Sequence, residues 1–167
     1  MFTRFDALCE QVATALCEQV ASTLGVHDAI LDGEVIAADE TGRPRFYDLL
    51  RRPRRATYVA FDLLWLNGAD LRPLPLRERR RRLQAVLPAG SSIVSEAVSV
   101  ERRGRELFQL TCTHDLEGIV AKRAADPYEP RVRWLKIKNV AYSQKEGRGD
   151  LFNAPSGARK AALAADG

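Results

Sequence analysis

Lysine is scarce in this chain of 167 residues: 21 of its 26 cationic side chains are arginine, leaving Lys122, Lys136, Lys138, Lys145 and Lys160. Histidine and cysteine are scarcer still. His27 and His114, with Cys9, Cys17 and Cys112, form no Cys-x-x-Cys pair, so a zinc cage is hard to assemble. An odd count of scattered thiols fits buried or idle cysteines in a reducing compartment. Long apolar runs are missing as well, since none approaches the ~20 residues that span a bilayer. Asp6, Glu10 and Glu18 interrupt the apolar N-terminal stretch, which excludes a signal peptide. The expectation is a soluble, cytoplasmic protein.

Against these absences stands an ordinary globular balance of 46% apolar and 29% charged residues, in a length that suits one domain with or without a tail. Net charge is +4, and the arginines bunch at Arg51, Arg52, Arg54 and Arg55, at Arg77 and Arg79 to Arg82, and at Arg102, Arg103 and Arg105. The planar guanidinium fork suits phosphate better than an ammonium does. Two readings remain open: a polyanionic partner, or a solvated helix face.

The first 24 residues hold a tandem repeat, CEQVATAL followed by CEQVASTL. Both copies suit a helix with Leu8, Val12, Leu16 (or Ala15) and Val20 along one stripe. From Ala29 the alternation of AILDGEVIAADETGRPRF, with DETG as a turn, predicts a hairpin. ATYVAFDLLWLNG predicts a buried strand ended by Asn67-Gly68. A helix is expected near 76–87, with Leu76, Leu83, Val86 and Leu87 inward and its arginines in water. SIVSEAV reads as a strand, and ERRGRELFQLTCTHDL as a helix carrying Leu107 and Leu110. GIVAKR and RWLKIK are two further strands joined by the proline-punctuated ADPYEP. From about Asn139 the composition shifts to Gly, Ala, Ser, Gln and Lys, and the last fifteen or so residues are expected to be disordered.

Alternate side chains of a strand share a face and rise roughly 6.6 Å per two residues. Lys136, Lys138 and Trp134 therefore point one way, and Leu135 and Ile137 are expected to point into the core. In the preceding strand Gly118, Val120 and Lys122 share one face, and Glu117, Ile119 and Ala121 the other. Two lysines on neighbouring rungs make a phosphate clamp or a solvated edge. A nearby carboxylate can hold a divalent metal that bridges phosphate oxygens.

LDGEVIA (31–37), YVAFDLLWLNG (58–68), EGIVAKR (117–123) and WLKIK (134–138) together resemble, in this order, four signature motifs of the ATP-dependent DNA ligases, members of the covalent nucleotidyltransferases. PLPLRERRRRLQAVL (73–87) and DPYEP (126–130) are similar to linking segments of bacterial members associated with DNA repair. The likeness runs from about Asp28 to Phe152. It implies an α+β fold, with antiparallel sheets and flanking helices forming a ligase-type adenylation (ATP-grasp-like) domain, here incomplete. Residues 1–27 would be a helical remnant, 28–140 the adenylation core, and 141–167 a partly disordered tail without an oligonucleotide-binding domain.

Carried across position by position, the resemblance implies that Phe61 stacks on adenine, where the bland alternative is a core phenylalanine. Glu34 would lie near the ribose or metal, or else merely decorate a turn. Glu117 would hold Mg2+, Lys136 and Lys138 would stabilise the α-phosphate during transfer, and Lys122 would sit near the same pocket. Glu117, Lys136 and Lys138 are expected to converge on a pocket lined by Phe61. ATP and Mg2+ are the implied cofactors, and nicked duplex DNA in repair or recombination the implied partner.

One motif is absent from the 167 residues. The family attacks ATP with a lysine in Lys-x-Asp-Gly, and none of the five lysines is followed two residues later by Asp-Gly. Without that amine the nucleophilic step fails. FTR (2–4) resembles the segment just after the nucleophile, so Arg4 is the expected remnant near the nucleotide. The expectation is a ligase-like domain, truncated at its front, that does not adenylylate itself alone. The alternatives are a nucleic-acid-binding or interaction module, one served in trans by a chain supplying the missing segment, or a degenerate gene product.

Overall fold

A computed structural model describes residues 17–37 and 56–143. A helical stretch over 17–23 leads into strand β1 (Ala29–Ala37), which pairs antiparallel with β2 (Ala56–Leu66). Asn67 and Gly68 take positive φ angles of 48° and 82°, and β2 turns there into the two-residue β3 (Ala69–Asp70). Asp28 holds this turn through the amide of Gly68 and the indole N–H of Trp65. Helix α1 (Leu76–Val86) follows, then β4 (Val94–Glu96), which joins the free edge of β2 in parallel. Helix α2 (Gly104–Thr113) leads to a separate two-stranded ribbon, β5 (Gly118–Ala121) antiparallel to β6 (Leu135–Lys138). Helices and mainly antiparallel strands make this an α+β fold, as expected.

The pairing of β1 with β2 is interrupted twice. Gly33 stands opposite Ala60 and Asp32 opposite Asp62, so Phe61 is an extra residue; Leu64 is a second, between Leu63 opposite Leu31 and Trp65 opposite Ile30. The resulting register places Leu31, Val35, Tyr58, Ala60 and Leu63 on one face and Asp32, Glu34, Val59 and Asp62 on the other. The first face is the core. There Ala60, Leu63, Leu71 and Leu83 are buried together, and Leu31, Tyr58 and Leu87 join them to a second cluster of Val20, Leu24 and Val94. Gly33 has no substitute on that face: a Cβ would lie 2.5 Å from the Val59 carbonyl oxygen and 2.7 Å from the Tyr58 ring.

Several expectations need correction. Arg79 does not face water. It is buried and bonds both carboxylate oxygens of Asp62 at 2.8 and 2.7 Å, because helix α1 crosses β2 and leaves a charge beside a charge. Arg80 is half-buried and paired with Glu96. Leu135 and Ile137 do not enter the core: they are 64% and 40% exposed, since no described element covers that face of the ribbon. Leu110 is exposed on α2, and Cys17 and Cys112 are free and exposed, so of the two alternatives for the thiols burial does not hold for these two. The 39–42 turn, the arginines at 51–55, Arg4, most of the tandem repeat and the tail beyond 143 lie outside the described residues. Among the described residues no helix is long and apolar enough to cross a membrane.

Candidate functional site

The second face of β1–β2 is approached by Lys122, at the end of the β5–β6 ribbon, and by the connector 122–134. In the ribbon Val120 stands opposite Lys136 and Gly118 opposite Lys138, so the next pair outward is Lys122 and Trp134. All six share a face, because residues directly opposite in an antiparallel ladder point the same way. Lys122 reaches from this ribbon to Phe61. Its Nζ lies 4.3 Å from the centre of the Phe61 ring and 3.7 Å from the centre of the Trp134 ring. That nitrogen is buried and has no hydrogen-bond partner. Burial pushes its pKa down, while the nearby carboxylates of Asp62 and Asp32 pull the other way.

Phe61 reaches this position as the extra residue of a β-bulge, a device that re-aims side chains beside sites. The connector 122–134 is held by a polar chain. Arg79 donates to the Asp126 carbonyl as well as to Asp62, and its guanidinium lies 5.8 Å from the Tyr128 ring centre. Tyr128 donates its hydroxyl to Asp32 at 2.9 Å and packs edge-on against Trp134 with ring centres 5.8 Å apart. The Asp62–Arg79 pair thereby fixes where Trp134 stands.

The remaining residues singled out from the sequence do not converge with Phe61, Lys122 and Trp134: Glu34, Lys136 and Lys138 are exposed along these faces, and Glu117 stands apart. Glu34 is exposed on the Asp32–Asp62 face, opposite Val59. Lys136 and Lys138 are exposed on the Lys122–Trp134 face. Glu117 precedes β5 at the far end, about 16 Å along the strand from Lys122 at ordinary strand rise. Its carbonyl accepts from the Asn139 amide, and strand alternation sets its side chain with Ile119 and Ala121. Gly118 beside it has φ +153°, and a Cβ there would lie 2.2 Å from the Ile137 carbonyl oxygen. Among the described residues no three acidic, histidine or cysteine side chains cluster as a metal cage.

Three separated segments thus bring the Phe61 and Trp134 rings and the buried Lys122 amine together near Asp32 and Asp62, with Lys136 and Lys138 exposed further along the ribbon. The family profile for the ATP dependent DNA ligase domain matches residues 3–138. The chain belongs to the ATP-dependent DNA ligase family. Among ligase relatives, the multifunctional non-homologous end joining protein LigD of Mycolicibacterium smegmatis is 36% identical over 120 residues, covering 69% of this chain and 16% of the relative. A DNA ligase of Methanothrix thermoacetophila is 38% identical over 133 residues, covering 69% of this chain and 24% of that one. The solved structure of mycobacterial DNA ligase D complexed with ATP and MES superposes with a TM-score of 0.57 at 32% identity, over 66% of this chain and 38% of that one. The chain therefore spans about a sixth to a quarter of these curated ligases, and its fold is a portion of the solved ligase domain.

Two features of this region escaped the sequence reading. Asp62 and Arg79 carry a buried bidentate pair, whose signal is a carboxylate inside an apolar strand and an arginine one helical turn after Leu76. Trp134 lies against Lys122, which follows from the ribbon register once Ile119 is set opposite Ile137.

Proposed function

We propose that the groove binds the adenine nucleotide of ATP and that the chain is a nucleotide-binding portion of an enzyme that seals nicks in DNA during repair or recombination. The observation that carries this reading is the convergence of Phe61, Lys122 and Trp134, from three separate segments, on the ribbon face that Lys136 and Lys138 share. Phe61 offers its ring to the base. Lys136 and Lys138, on successive outward rungs, offer charge to the phosphates, where preorganised cations stabilise negative charge that builds in transfer. Glu34 lies toward the ribose, and Arg4, outside the described residues, belongs to the same pocket in this reading. Mg2+ takes few protein ligands and completes its shell with phosphate oxygens and water. Glu117 is the carboxylate this reading assigns to the ion, from the ribbon side of Ile119 and Ala121 rather than that of Lys136 and Lys138, and the bound ion would neutralise phosphate charge.

The 167 residues contain no Lys-x-Asp-Gly, so the covalent step needs an amine from another chain or segment. Incubation of this polypeptide with radiolabelled ATP and magnesium, followed by a denaturing gel, is expected to give no labelled band. ATP binding by equilibrium dialysis is expected nonetheless, and Phe61→Ala is expected to weaken it about tenfold or more, in line with about 1–3 kcal/mol for base–aromatic stacking. A covalent band, or ATP affinity indifferent to Phe61, would overturn the reading. A second reading, a DNA-binding module without catalysis, is favoured by Arg123, Arg131 and Arg133, all exposed beside the Lys122–Trp134 end. Its mark is affinity that falls steeply with salt.

A further inference from the structure

We propose that Lys122 is the resident occupant of the base seat, and that its displacement makes the site favour nucleotides over bare nucleosides. The inference deepens the nucleotide-binding reading and rests on it. Because Nζ lies 4.3 Å from one ring centre and 3.7 Å from the other, the Phe61 and Trp134 rings stand at most about 8 Å apart. A flat heterocycle stacked on the Phe61 ring needs a contact distance of roughly 3.5–4.0 Å, about the distance Nζ keeps from that ring's centre. The ammonium and a base therefore compete for one volume. Neither ring can present the same face to both.

The resident is weakly held. A primary ammonium carries three donors, and this one, buried, bonds none of them to an acceptor. Only the ring faces and the fields of Asp62 and Asp32 compensate its lost water. An incoming base inherits the Phe61 face and releases the amine to solvent. The amine then stands on the ribbon face of Lys136, two residues beyond Trp134 on the partner strand, where a phosphate chain would lie. A nucleotide recovers the cost of displacement through that new contact. A bare nucleoside does not.

A seat that is open a tenth of the time weakens apparent affinity tenfold. Equilibrium dialysis of the full chain is expected to show Lys122→Ala binding adenosine about three- to tenfold tighter than the parent, with ATP bound no tighter. An independent readout needs no variant: acetylation by a lysine-reactive ester, mapped by mass spectrometry, is expected to spare Lys122 in the free protein and to label it faster when adenosine is added. Ligands ordinarily protect the lysines they approach, so the expected sign is distinctive. Adenosine affinity unchanged or weakened in Lys122→Ala overturns the inference, as does protection of Lys122 by adenosine, and in both cases the nucleotide site itself stands. Failure of the parent and variant to bind either ligand overturns the nucleotide reading and this inference together.

Discussion

The β1–β2 and β5–β6 ladders are both antiparallel pairs, yet they are held by opposite means. β1–β2 presents a continuous apolar face to α1 and to the 17–23 helix, and Ala60 and Leu63 within it are fully buried. β5–β6 leaves Val120, Leu135 and Ile137 exposed and is tied at its ends instead. At one end the Asn139 side chain donates to the Leu116 carbonyl and its amide to Glu117; at the other, Arg79 and Tyr128 hold the connector. The difference teaches where each property resides. Register and stability belong to the first pair, and most of the candidate chemistry rides on the second, where local opening costs less.

The sharpest way to break this contrast is Arg79→Ala, which strips the partner from a buried Asp62 and releases the connector. It is expected to destabilise by about 3–5 kcal/mol in urea titration. Combining Asp62→Leu with Arg79→Met is expected to restore most of that loss while still weakening ATP binding, because Trp134 loses its anchor. Full recovery of binding in the double variant would show that the pair does not position the ribbon. Next in size, Leu83→Ala in the core should cost about 2–5 kcal/mol.

Alkaline titration sharpens the account of the core face. Burial, and secondarily the charge of Asp32, push the Tyr58 hydroxyl up to about 12, from about 10 unfolded. The folded state then holds its proton longer than the unfolded chain. Stability from this group is complete below about pH 10 and declines as pH rises toward 12. Tyr58→Phe should flatten that decline in thermal melts, at a neutral-pH cost of about 1 kcal/mol for the lost bond to the Leu31 carbonyl. Smallest of all, Leu135→Ala on the open ribbon face should change stability by about 0.5 kcal/mol or less. A core-sized loss there would mean that this leucine is covered in solution.

Local pattern made much of the fold legible. Alternation and β-branched content marked β1 and β2, Asn67-Gly68 marked their turn, and spacing marked Leu76 and Leu83 as the buried edge of α1. Pairing was less accessible. β1 finds its described partner in β2, 19 residues beyond its own end, and β4 adds in parallel, neither of which a window of neighbouring residues encodes. Arg79 sits in an arginine run that reads as solvent-facing, and only the approach of Asp62 across the tertiary fold explains its burial. Motif order brought Phe61, Lys122, Lys136 and Lys138 into view. The filling of the Phe61 face by Lys122 depends on two registers at once, so it was visible only in three dimensions.

The two extra residues of β2 behave like a frameshift and its suppressor in a message read two letters at a time. Up to Ala60 the even positions face the oil; were Phe61 paired in regular alternation, the next such position would be Asp62, and Leu63 would point away from the core. The ladder skips each extra residue, so the pairs on its two sides already match, and removing either one would leave every remaining side chain on its own face. The bulge at Phe61 thus adds one residue that the pairing does not need, and in the proposed reading that spare residue carries the base.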